Sequence, residues 1–370
     1  MSAAPLVLHV IAGLAVGGAE RMLASLVTAP RKAPHAQIVA DLIGGGALAG
    51  EIRAAGVEVR ELGLAGPFSV PRVVSALARL IRETKPAAVQ SWMYYGDLLA
   101  LWALERSGRR KETRLYWGVR CSDMDQSRYG PALRWTIRAC ARRAARPDAV
   151  VANSYAGRAF HVTLGYAPRA FPVIPNGVDT ARFGPDDTAR WRLRDALGLD
   201  KRTFVALHAA RVDPMKDHKT LAALAAMRPG MVFLAAGKDT ERLSGPKNLR
   251  GLGIRSDMPE LYAAADAVVS TSAFGEGFSN VIAEGMAAGR PAVATDVGDA
   301  RMIVGGTGAI VPPRDPVALA AALDALADTG PGERALRTNA ARTRIEQRFS
   351  LARCVAAFDA LHVGGTLPPD

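Results

Sequence analysis

The sequence predicts an α/β fold with two Rossmann-like domains, each built on a parallel sheet. The chain has 370 residues, which is more than one typical core accommodates and enough for two. Short apolar runs rich in β-branched residues alternate with amphipathic helical patterns, as in parallel strands joined by crossover helices. This rhythm restarts after Ile174-Pro175-Asn176-Gly177, so a second sheet is expected there.

The expected strands fall into two groups of apolar runs, one on each side of that restart. The first group is Leu6–Ile11, Ile38–Ile43, Ala87–Val89, Leu115–Trp117, Ala149–Ala152 and Val173–Ile174. The second group is Phe204–Leu207, Val232–Leu234, Ala267–Ser270, Ala292–Ala294 and Ala309–Val311. Amphipathic helices are expected between most of these runs.

The boundary between the two domains is expected at residue 176. Pro175 is rigid and Asn176-Gly177 tolerates left-handed backbone, so this segment predicts a turn or linker. After Pro331 the pattern is helical nearly to the end, with residues 349–350 separating two helices. We expect the last helix to pack on the first domain, which gives these domains: residues 1–176 with helix 350–366, and residues 177–349.

Charge, cysteine content and hydropathy restrict the class of protein. The formal net charge is +12, and almost all of it lies in residues 1–176, which hold 23 Lys or Arg against 12 Asp or Glu. The three cysteines are too far apart for a zinc site or a disulfide framework. No run is apolar for long enough to span a bilayer, and no basic residue precedes Leu6–Val16, as a secretory signal requires. A cytoplasmic protein is expected.

A glycine-rich turn follows the first strand, in the segment from Gly13 through Gly17 and Gly18 to Glu20. It opens a helix, so its backbone could approach a phosphate or a sugar closely. The segment has neither the dinucleotide-binding nor the P-loop pattern of glycines. A tight turn without a ligand is the other interpretation, and the residues alone favour it.

Two carboxylates eight positions apart, Glu276 and Glu284, mark a loop and the helix that follows it. Ser279 or Asn280 could cap that helix, which would direct the amides of residues 277–279 toward a diphosphate. The carboxylates could then accept hydrogen bonds from sugar and ribose hydroxyls. In the alternative interpretation Glu276 is solvated and Glu284 forms a surface ion pair.

Basic residues follow the first strand of the second domain. Arg211 could bind phosphate through two parallel hydrogen bonds, and Lys216 could act as a point charge on the departing diphosphate. Lys219 is expected on the helix surface. For each of these side chains taken alone, simple solvent exposure is favoured over a functional role.

In their order along the chain, these segments resemble glycosyltransferase family 4. The resemblance rests on Gly17–Arg21, Ile174–Asp179, Arg211 with Lys216, the Glu276–Glu284 block and Val293–Gly298, which extend over nearly the whole chain. It implies the GT-B fold, in which two Rossmann-like domains face each other across a cleft that holds the active site. It also implies retention of the anomeric configuration, no catalytic metal and no other cofactor.

The resemblance implies a role for each matching residue. Arg211 and Lys216 would hold the donor diphosphate and Glu276 would contact the transferred sugar, so these three are the catalytic candidates. Glu284 would bind the nucleotide ribose. The other donor-binding candidates are Gly17, Gly18, Gly277, Phe278, Ser279 and Asn280.

Two positions depart from the family's pattern. Relatives often carry histidine where this chain has Cys121 and Tyr95, and neither side chain reproduces an imidazole near neutral pH. Arg120 and Asp97 are the candidates to substitute for histidine on the acceptor side. Asp123-Met124-Asp125 has the DxD form that binds a divalent cation in glycosyltransferases of another fold, but a solvated loop is favoured here because charged pairs are usually exposed.

The segment from Arg106 to Arg146 carries 12 basic and three acidic residues. Four arginines recur at every fourth position and predict a basic stripe on one helix, beside Trp135: Arg134, Arg138, Arg142 and Arg146. One interpretation is peripheral docking on the anionic inner membrane, and the other is an arginine-rich surface in solvent. Nucleic-acid binding is a competing class, but no recognised binding module supports it, so no nucleic acid is expected.

The expected activity is transfer of a hexose or N-acetylhexosamine from a nucleotide-diphosphate sugar. The acceptor would be lipid-linked or a saccharide, in surface polysaccharide or glycoconjugate synthesis. A UDP-sugar is preferred because Glu276–Asn280 resembles transferases of surface-polysaccharide assembly, with GDP-mannose as the alternative donor. A sugar-nucleotide epimerase of the same fold is the alternative enzyme, and product analysis would distinguish the two.

Overall fold

The chain divides into two compact units in a computed structural model that describes residues 5–15, 17–31, 36–122 and 130–365. Unit 1 consists of the described residues up to Gly177 together with those from Leu351 onward. Unit 2 runs from Val178 to Ser350. Each unit is built on its own parallel sheet.

The sheet of unit 1 has six strands among the described residues, in the order β3-β2-β1-β4-β5-β6. Their bounds are β1 (Leu6–Ile11), β2 (Ala36–Asp41), β3 (Glu58–Glu61), β4 (Ala88–Trp92), β5 (Arg114–Val119) and β6 (Ala149–Ala152). The helices described in this unit are α1 (Gly18–Thr28), α2 (Leu48–Ala54), α3 (Val70–Thr84), α4 (Met93–Ser107), α5 (Pro131–Ala141), α6 (Tyr155–Thr163) and the final one, α14 (Leu351–Val363).

Successive strand residues of unit 1 face opposite sides of the sheet, and each side has its own core. On β2, Ile38 and Ala40 pack into one core whereas Val39 packs into the other. Helix α14 contributes to the second core through Phe358, whose ring centre lies 5.8 Å from that of Trp92. Both faces of the sheet are therefore covered, as parallel sheets require.

The sheet of unit 2 also has six strands among the described residues, in the order β12-β11-β10-β7-β8-β9. Their bounds are β7 (Phe204–Ala209), β8 (Met231–Ala236), β9 (Leu249–Gly251), β10 (Ala267–Ser270), β11 (Ala292–Thr295) and β12 (Ala309–Val311). The helices are α7 (Asp187–Ala196), α8 (His218–Met227), α9 (Met258–Ala264), α10 (Asn280–Ala287), α11 (Ala300–Val304), α12 (Pro316–Ala327) and α13 (Pro331–Arg348).

The predicted pair of parallel sheets is confirmed, with three differences in detail. Val173–Ile174 is not a strand, because Val173 forms only an isolated bridge with Ala152. The sequence pattern also does not predict β3 or β9. Both are short strands at a sheet edge, and three of the four side chains of β3 are exposed, so neither carries the apolar signal of a buried strand.

The predicted basic stripe on one helix is wrong in its second half. Helix α5 carries Arg134 and Arg138 but ends at Ala141, with Arg142 as its C-cap and Arg146 in the turns beyond. In these turns the backbone hydrogen bonds join residues three apart, for example from the Arg146 amide to the Arg143 carbonyl at 2.8 Å. Pro147 would prevent a helix from continuing through Arg146, because the residue before a proline disfavours the helical conformation, but α5 has already ended at Ala141.

Candidate functional site

The carboxyl ends of β7 and β10 adjoin in the sheet of unit 2, and the loops that leave them carry the polar residues of interest. Lys216 follows β7 in a short 3₁₀ turn, Pro214–Lys216, and Glu276 follows β10 in the loop before α10. In parallel α/β sheets this edge is where ligands bind. The sheet order therefore brings together two loops that are 60 residues apart in sequence.

Lys216 and Glu276 form an ion pair between Nζ and Oε1. Their side chains are only 14% and 12% exposed, so the pair is largely removed from water. Ser272 Oγ donates a second hydrogen bond to the same carboxylate oxygen, at 2.7 Å. Two of the three predicted catalytic residues are thus in contact, together with a serine that the sequence analysis did not single out.

The loop after β11 packs against the backbone of the Glu276 loop. Gly298 has φ +61°, and a Cβ at this position would lie 2.8 Å from the Gly277 carbonyl oxygen. The amide of Asp299 donates to that same oxygen at 3.1 Å. Both the left-handed backbone and the close approach require glycine at position 298.

Arg211 and Glu284 occupy different surroundings. The Arg211 side chain is 60% exposed and lies 3.5 Å from Asp213, so it is free to reorient toward a ligand. Glu284 is half-buried on α10 and accepts a 2.9 Å hydrogen bond from the Tyr262 hydroxyl. Lys219 is exposed on α8, as predicted.

Helix α10 begins at Asn280 with Ser279 as its N-cap residue, but the Ser279 hydroxyl makes no capping hydrogen bond. Gly277, Phe278 and Ser279 are buried, and Asn280 is half-buried. The Phe278 side chain packs in the core of unit 2 with its ring 5.5 Å from that of Phe349, so only the backbone of this residue stays a donor-binding candidate. Phe278 is apolar and large, and the hydrophobic effect accounts for its place.

Two buried histidines that no sequence motif predicts lie beneath the Lys216 turn. His208 and His218 pack edge to face with ring centres 4.8 Å apart. Burial lowers the pKa of both rings below their usual range, so both are neutral at physiological pH. No sequence pattern marks them, because each stands alone among apolar or helical residues.

In unit 1, Gly17 and Gly18 form the turn into α1. Gly17 is the N-cap with extended backbone, and its carbonyl accepts the amide of Arg21 at 2.9 Å. A Cβ on Gly17 would overlap the Glu20 carboxylate, whose pKa is raised by burial. In this turn the backbone of Gly17 therefore packs closely against the carboxyl group of Glu20.

Tyr94, not the predicted Tyr95, makes the polar contacts at the start of α4. Its hydroxyl lies 2.9 Å from His161 Nε2 and 3.2 Å from Cys121 Sγ. Burial raises the pKa of Cys121 to about 11, so its thiol is protonated. Tyr95 is half-buried. Met93, which precedes the two tyrosines, has φ +64°, an uncommon conformation that sets the direction in which the chain enters α4.

Asp97, an acceptor-side candidate from the sequence, has a completely buried side chain. Its Oδ1 accepts from Ser91 Oγ at 2.6 Å and from the Gly118 amide at 3.3 Å. Burial raises the pKa of Asp97 to about 7. Arg120 is half-buried, with its guanidinium 4.4 Å from the centre of the Trp92 ring and a 2.9 Å hydrogen bond to Asn176.

The described residues contain no group of three or more histidine, cysteine or acidic side chains arranged to hold a metal ion. Asp123 and Asp125, the DxD pair, lie outside the described residues. In the same part of the chain, every helix is too short or too polar to cross a bilayer.

Comparison with solved structures defines the class of fold. Anabaena Alr3699/HepE in complex with UDP superposes with a TM-score of 0.82 at 21% identity, covering 97% of this chain and 99% of that one. The same protein with UDP-glucose gives 0.81 at 20% identity, with coverage of 97% and 100%. A glycosyltransferase from Rickettsia africae ESF-5 gives 0.81 at 18% identity, with coverage of 98% for both. The protein has the GT-B fold.

Two family models match the chain. Glycosyltransferase Family 4 matches residues 16–182, and Glycosyl transferases group 1 matches residues 204–329. Together they account for most of both units. The protein belongs to glycosyltransferase family 4, as its motifs suggest.

Curated relatives match over part of their length. The D-inositol 3-phosphate glycosyltransferase of Mycobacterium sp. (strain KMS) is 35% identical over 182 residues, which is 44% of this chain and 41% of that protein. The protein of the same name from Acidothermus cellulolyticus is 33% identical over 213 residues, 50% of this chain and 47% of that one. The chain thus spans less than half the length of these relatives.

Proposed function

We propose that this protein is a retaining glycosyltransferase that takes a sugar from a nucleotide-diphosphate sugar, preferably a UDP-sugar. The observation that carries the proposal is the Lys216–Glu276 pair, held at the carboxyl ends of β7 and β10 with little exposure to water. A cation and a carboxylate in contact suit a ligand with an anionic diphosphate and a hydroxyl-rich sugar. The solved relatives carrying UDP and UDP-glucose support the choice of donor.

The proposed chemistry is mainly stabilisation of charge. The bond between the anomeric carbon and the diphosphate oxygen breaks, and a bond from the acceptor oxygen to that carbon forms on the same face of the sugar. The acceptor proton passes to the departing diphosphate. Lys216, joined by the exposed Arg211 side chain, offsets the negative charge that develops on the diphosphate, while Glu276 holds sugar hydroxyls. Glu284 accepts hydrogen bonds from the ribose. None of these steps needs a metal.

Unit 1 is the proposed acceptor-binding unit, and the acceptor is lipid-linked or a saccharide of a surface polysaccharide or glycoconjugate. The Gly17–Gly18 turn lies at the carboxyl end of β1, where a ligand can approach the backbone. Tyr95 and Cys121, only partly buried, are the side chains proposed to face the acceptor. Asp97 is not among them because it is buried.

Peripheral contact with an anionic membrane is proposed for the outer face of α5. Trp135 is 56% exposed there, and Arg138 and Arg142 are exposed on or beside the same helix. A cavity of 410 Å³ is lined by Leu101, Glu105, Arg142, Arg143 and Arg146. An interfacial aromatic beside arginines suits anionic headgroups. Co-sedimentation with phosphatidylglycerol vesicles, but not with phosphatidylcholine vesicles, is the expected result, and equal sedimentation with both would contradict the contact.

The proposed function is tested by a thermal-shift screen of UDP-, GDP- and ADP-sugars, followed by product analysis. A ligand at 100 times its Kd stabilises the native state by about 2.7 kcal/mol, enough for a rise of several degrees in Tm. We expect this rise with UDP-sugars. If no nucleotide-diphosphate sugar changes Tm, the donor class is wrong. Accumulation of an epimerised nucleotide sugar instead of a glycosylated acceptor would contradict transfer.

A further inference from the structure

Two consecutive hydroxyl side chains, Thr271 and Ser272, lie at the carboxyl end of β10 and connect to both members of the Lys216–Glu276 pair. Thr271 is fully buried and Ser272 is 2% exposed. One hydroxyl bonds the backbone of the lysine, and the other bonds the carboxylate of the glutamate. A buried hydroxyl group without a hydrogen bond destabilises the folded state, so both hydroxyls depend on these particular partners.

Thr271 fixes the backbone at Lys216. Its Oγ1 lies 2.7 Å from the Lys216 carbonyl oxygen and 3.2 Å from that of Asp217. A hydroxyl has one proton, and the shorter distance assigns it to Lys216. The third neighbour, His208 Nε2 at 3.2 Å, must then be the donor to Thr271. His208, Thr271 and the Lys216 carbonyl thus form one chain of hydrogen bonds.

Asp217 makes this restraint necessary. It has φ +46°, the left-handed region that non-glycine residues seldom adopt, and it directly follows the lysine. The amide of Ala273 adds a 2.8 Å hydrogen bond to the Met215 carbonyl, so the turn carrying Lys216 is tied to the β10 loop at Met215 and at Lys216 itself. Without these ties the strained turn would relax.

Ser272 acts on the other member of the pair. Its hydroxyl donates to Glu276 Oε1, the oxygen that also faces Lys216 Nζ. The Ser272 carbonyl is itself held by the Thr295 hydroxyl at 2.6 Å. When the lysine turns toward a phosphate, this serine still holds the carboxylate in place.

We propose that Thr271 and Ser272 are positioning residues, Thr271 for the ammonium group of Lys216 and Ser272 for the carboxylate of Glu276. This inference rests on the proposed function, in which Lys216 binds the diphosphate and Glu276 binds the sugar. It follows that the two hydroxyls affect different parts of the donor. Loss of the Thr271 hydroxyl weakens UDP and UDP-glucose alike, whereas loss of the Ser272 hydroxyl weakens UDP-glucose only.

The test measures Kd for UDP and for UDP-glucose by calorimetry on the full chain. The variants are Thr271→Val, which keeps the shape of the side chain, Thr271→Ser, which keeps the hydroxyl, and Ser272→Ala. Thr307→Val is the matched control, because Thr307 Oγ1 also bonds a backbone carbonyl in unit 2, that of Val304 at 2.8 Å, away from these loops. The Tm of every variant is recorded as the measure of folding.

We expect Thr271→Val to bind both probes about tenfold more weakly and Ser272→Ala to bind only UDP-glucose about tenfold more weakly, as loss of one hydrogen bond predicts. Thr271→Ser and Thr307→Val should bind as the wild type does. Equal loss of both probes in Ser272→Ala, or unchanged binding in both Thr271→Val and Ser272→Ala, overturns the proposal. If Thr271→Val does not fold, Ser272→Ala decides alone. A wild type that binds neither probe refutes the proposed donor instead.

Discussion

A double-mutant cycle on Lys216 and Glu276 tests whether the pair is formed and shielded from water. With side chains only 14% and 12% exposed, removal of either partner leaves the other charge largely buried, which costs about 3 kcal/mol at the lower end of the usual range. Lys216→Met and Glu276→Gln should each destabilise unit 2 by about that amount. The double variant removes both charges, so it should cost about 2 kcal/mol less than the sum.

The assay is urea unfolding followed by hydrogen-exchange mass spectrometry of peptides from β7 and β10, which reports on unit 2 by itself. Lys219→Met is the matched control, since Lys219 is exposed on the next turn of the chain. It should change the free energy of unfolding by less than about 0.5 kcal/mol. If the two single effects add in the double variant to within about 0.5 kcal/mol, the two side chains do not interact and the ion pair is not formed.

The same variants report on activity. Lys216→Met should lower the turnover of UDP-sugar by about 10²–10³-fold, the usual effect of removing one group that stabilises developing charge. Lys219→Met should leave turnover unchanged. Near wild-type turnover in a folded Lys216→Met variant would remove this lysine from the mechanism.

Three further predictions concern glycine packing and buried ionisable groups. Gly298→Ala should destabilise unit 2 and weaken UDP-glucose binding, because the new Cβ would meet the Glu276–Gly277 backbone. Gly332→Ala has open space around it and should instead stabilise α13 by about 0.5–1 kcal/mol. Equal changes in Tm for the two variants would contradict this difference. Burial lowers the pKa of His9 to about 3, so only the unfolded state binds this proton between about pH 6.5 and pH 3, and in that window His9 should reduce the free energy of unfolding by about 1.4 kcal/mol for each unit of falling pH. A His9→Gln variant that keeps the wild-type pH dependence in urea titrations would refute it. For Asp97 the pH dependence has the opposite sign, because its raised pKa of about 7 makes the folded state bind the proton. The free energy of unfolding of Asp97→Asn minus that of the wild type should therefore increase from pH 4 to pH 7 by about 1.4 kcal/mol per pH unit. A difference that stays constant with pH would exclude the raised pKa.

The alternation of apolar runs predicts most of the fold, because buried parallel strands leave a strong local signal. The core strands β1 and β10 begin and end where their apolar runs do. The edge strands β3 and β9 escape prediction because the side chains of an edge strand need not be apolar. The end of α5 illustrates another limit, since the helix stops at Ala141 while the arginine spacing continues unchanged beyond it.

The candidate site could be predicted in its residue types but not in its contacts. The sequence motif identifies Lys216 and Glu276, but their ion pair is seen only in the structure, where the strand order brings their two loops together. Thr271, Ser272 and His208 carry no recognisable spacing, and their importance comes from hydrogen bonds between loops. Phe278 shows that the side chain of a residue within a binding motif can belong to the core.

The membership of α14 in unit 1 has a consequence for how the protein is made. Phe358 fills the core beside Trp92, and the Tyr116 hydroxyl donates to the Leu361 carbonyl at 2.8 Å. The ribosome releases this helix only after all of unit 2 has been synthesised, so the first unit to be translated is the last to complete its core. A nascent chain arrested before residue 351 would therefore expose apolar surface on unit 1, where chaperones could bind it, while unit 2 would already hold all of its own residues.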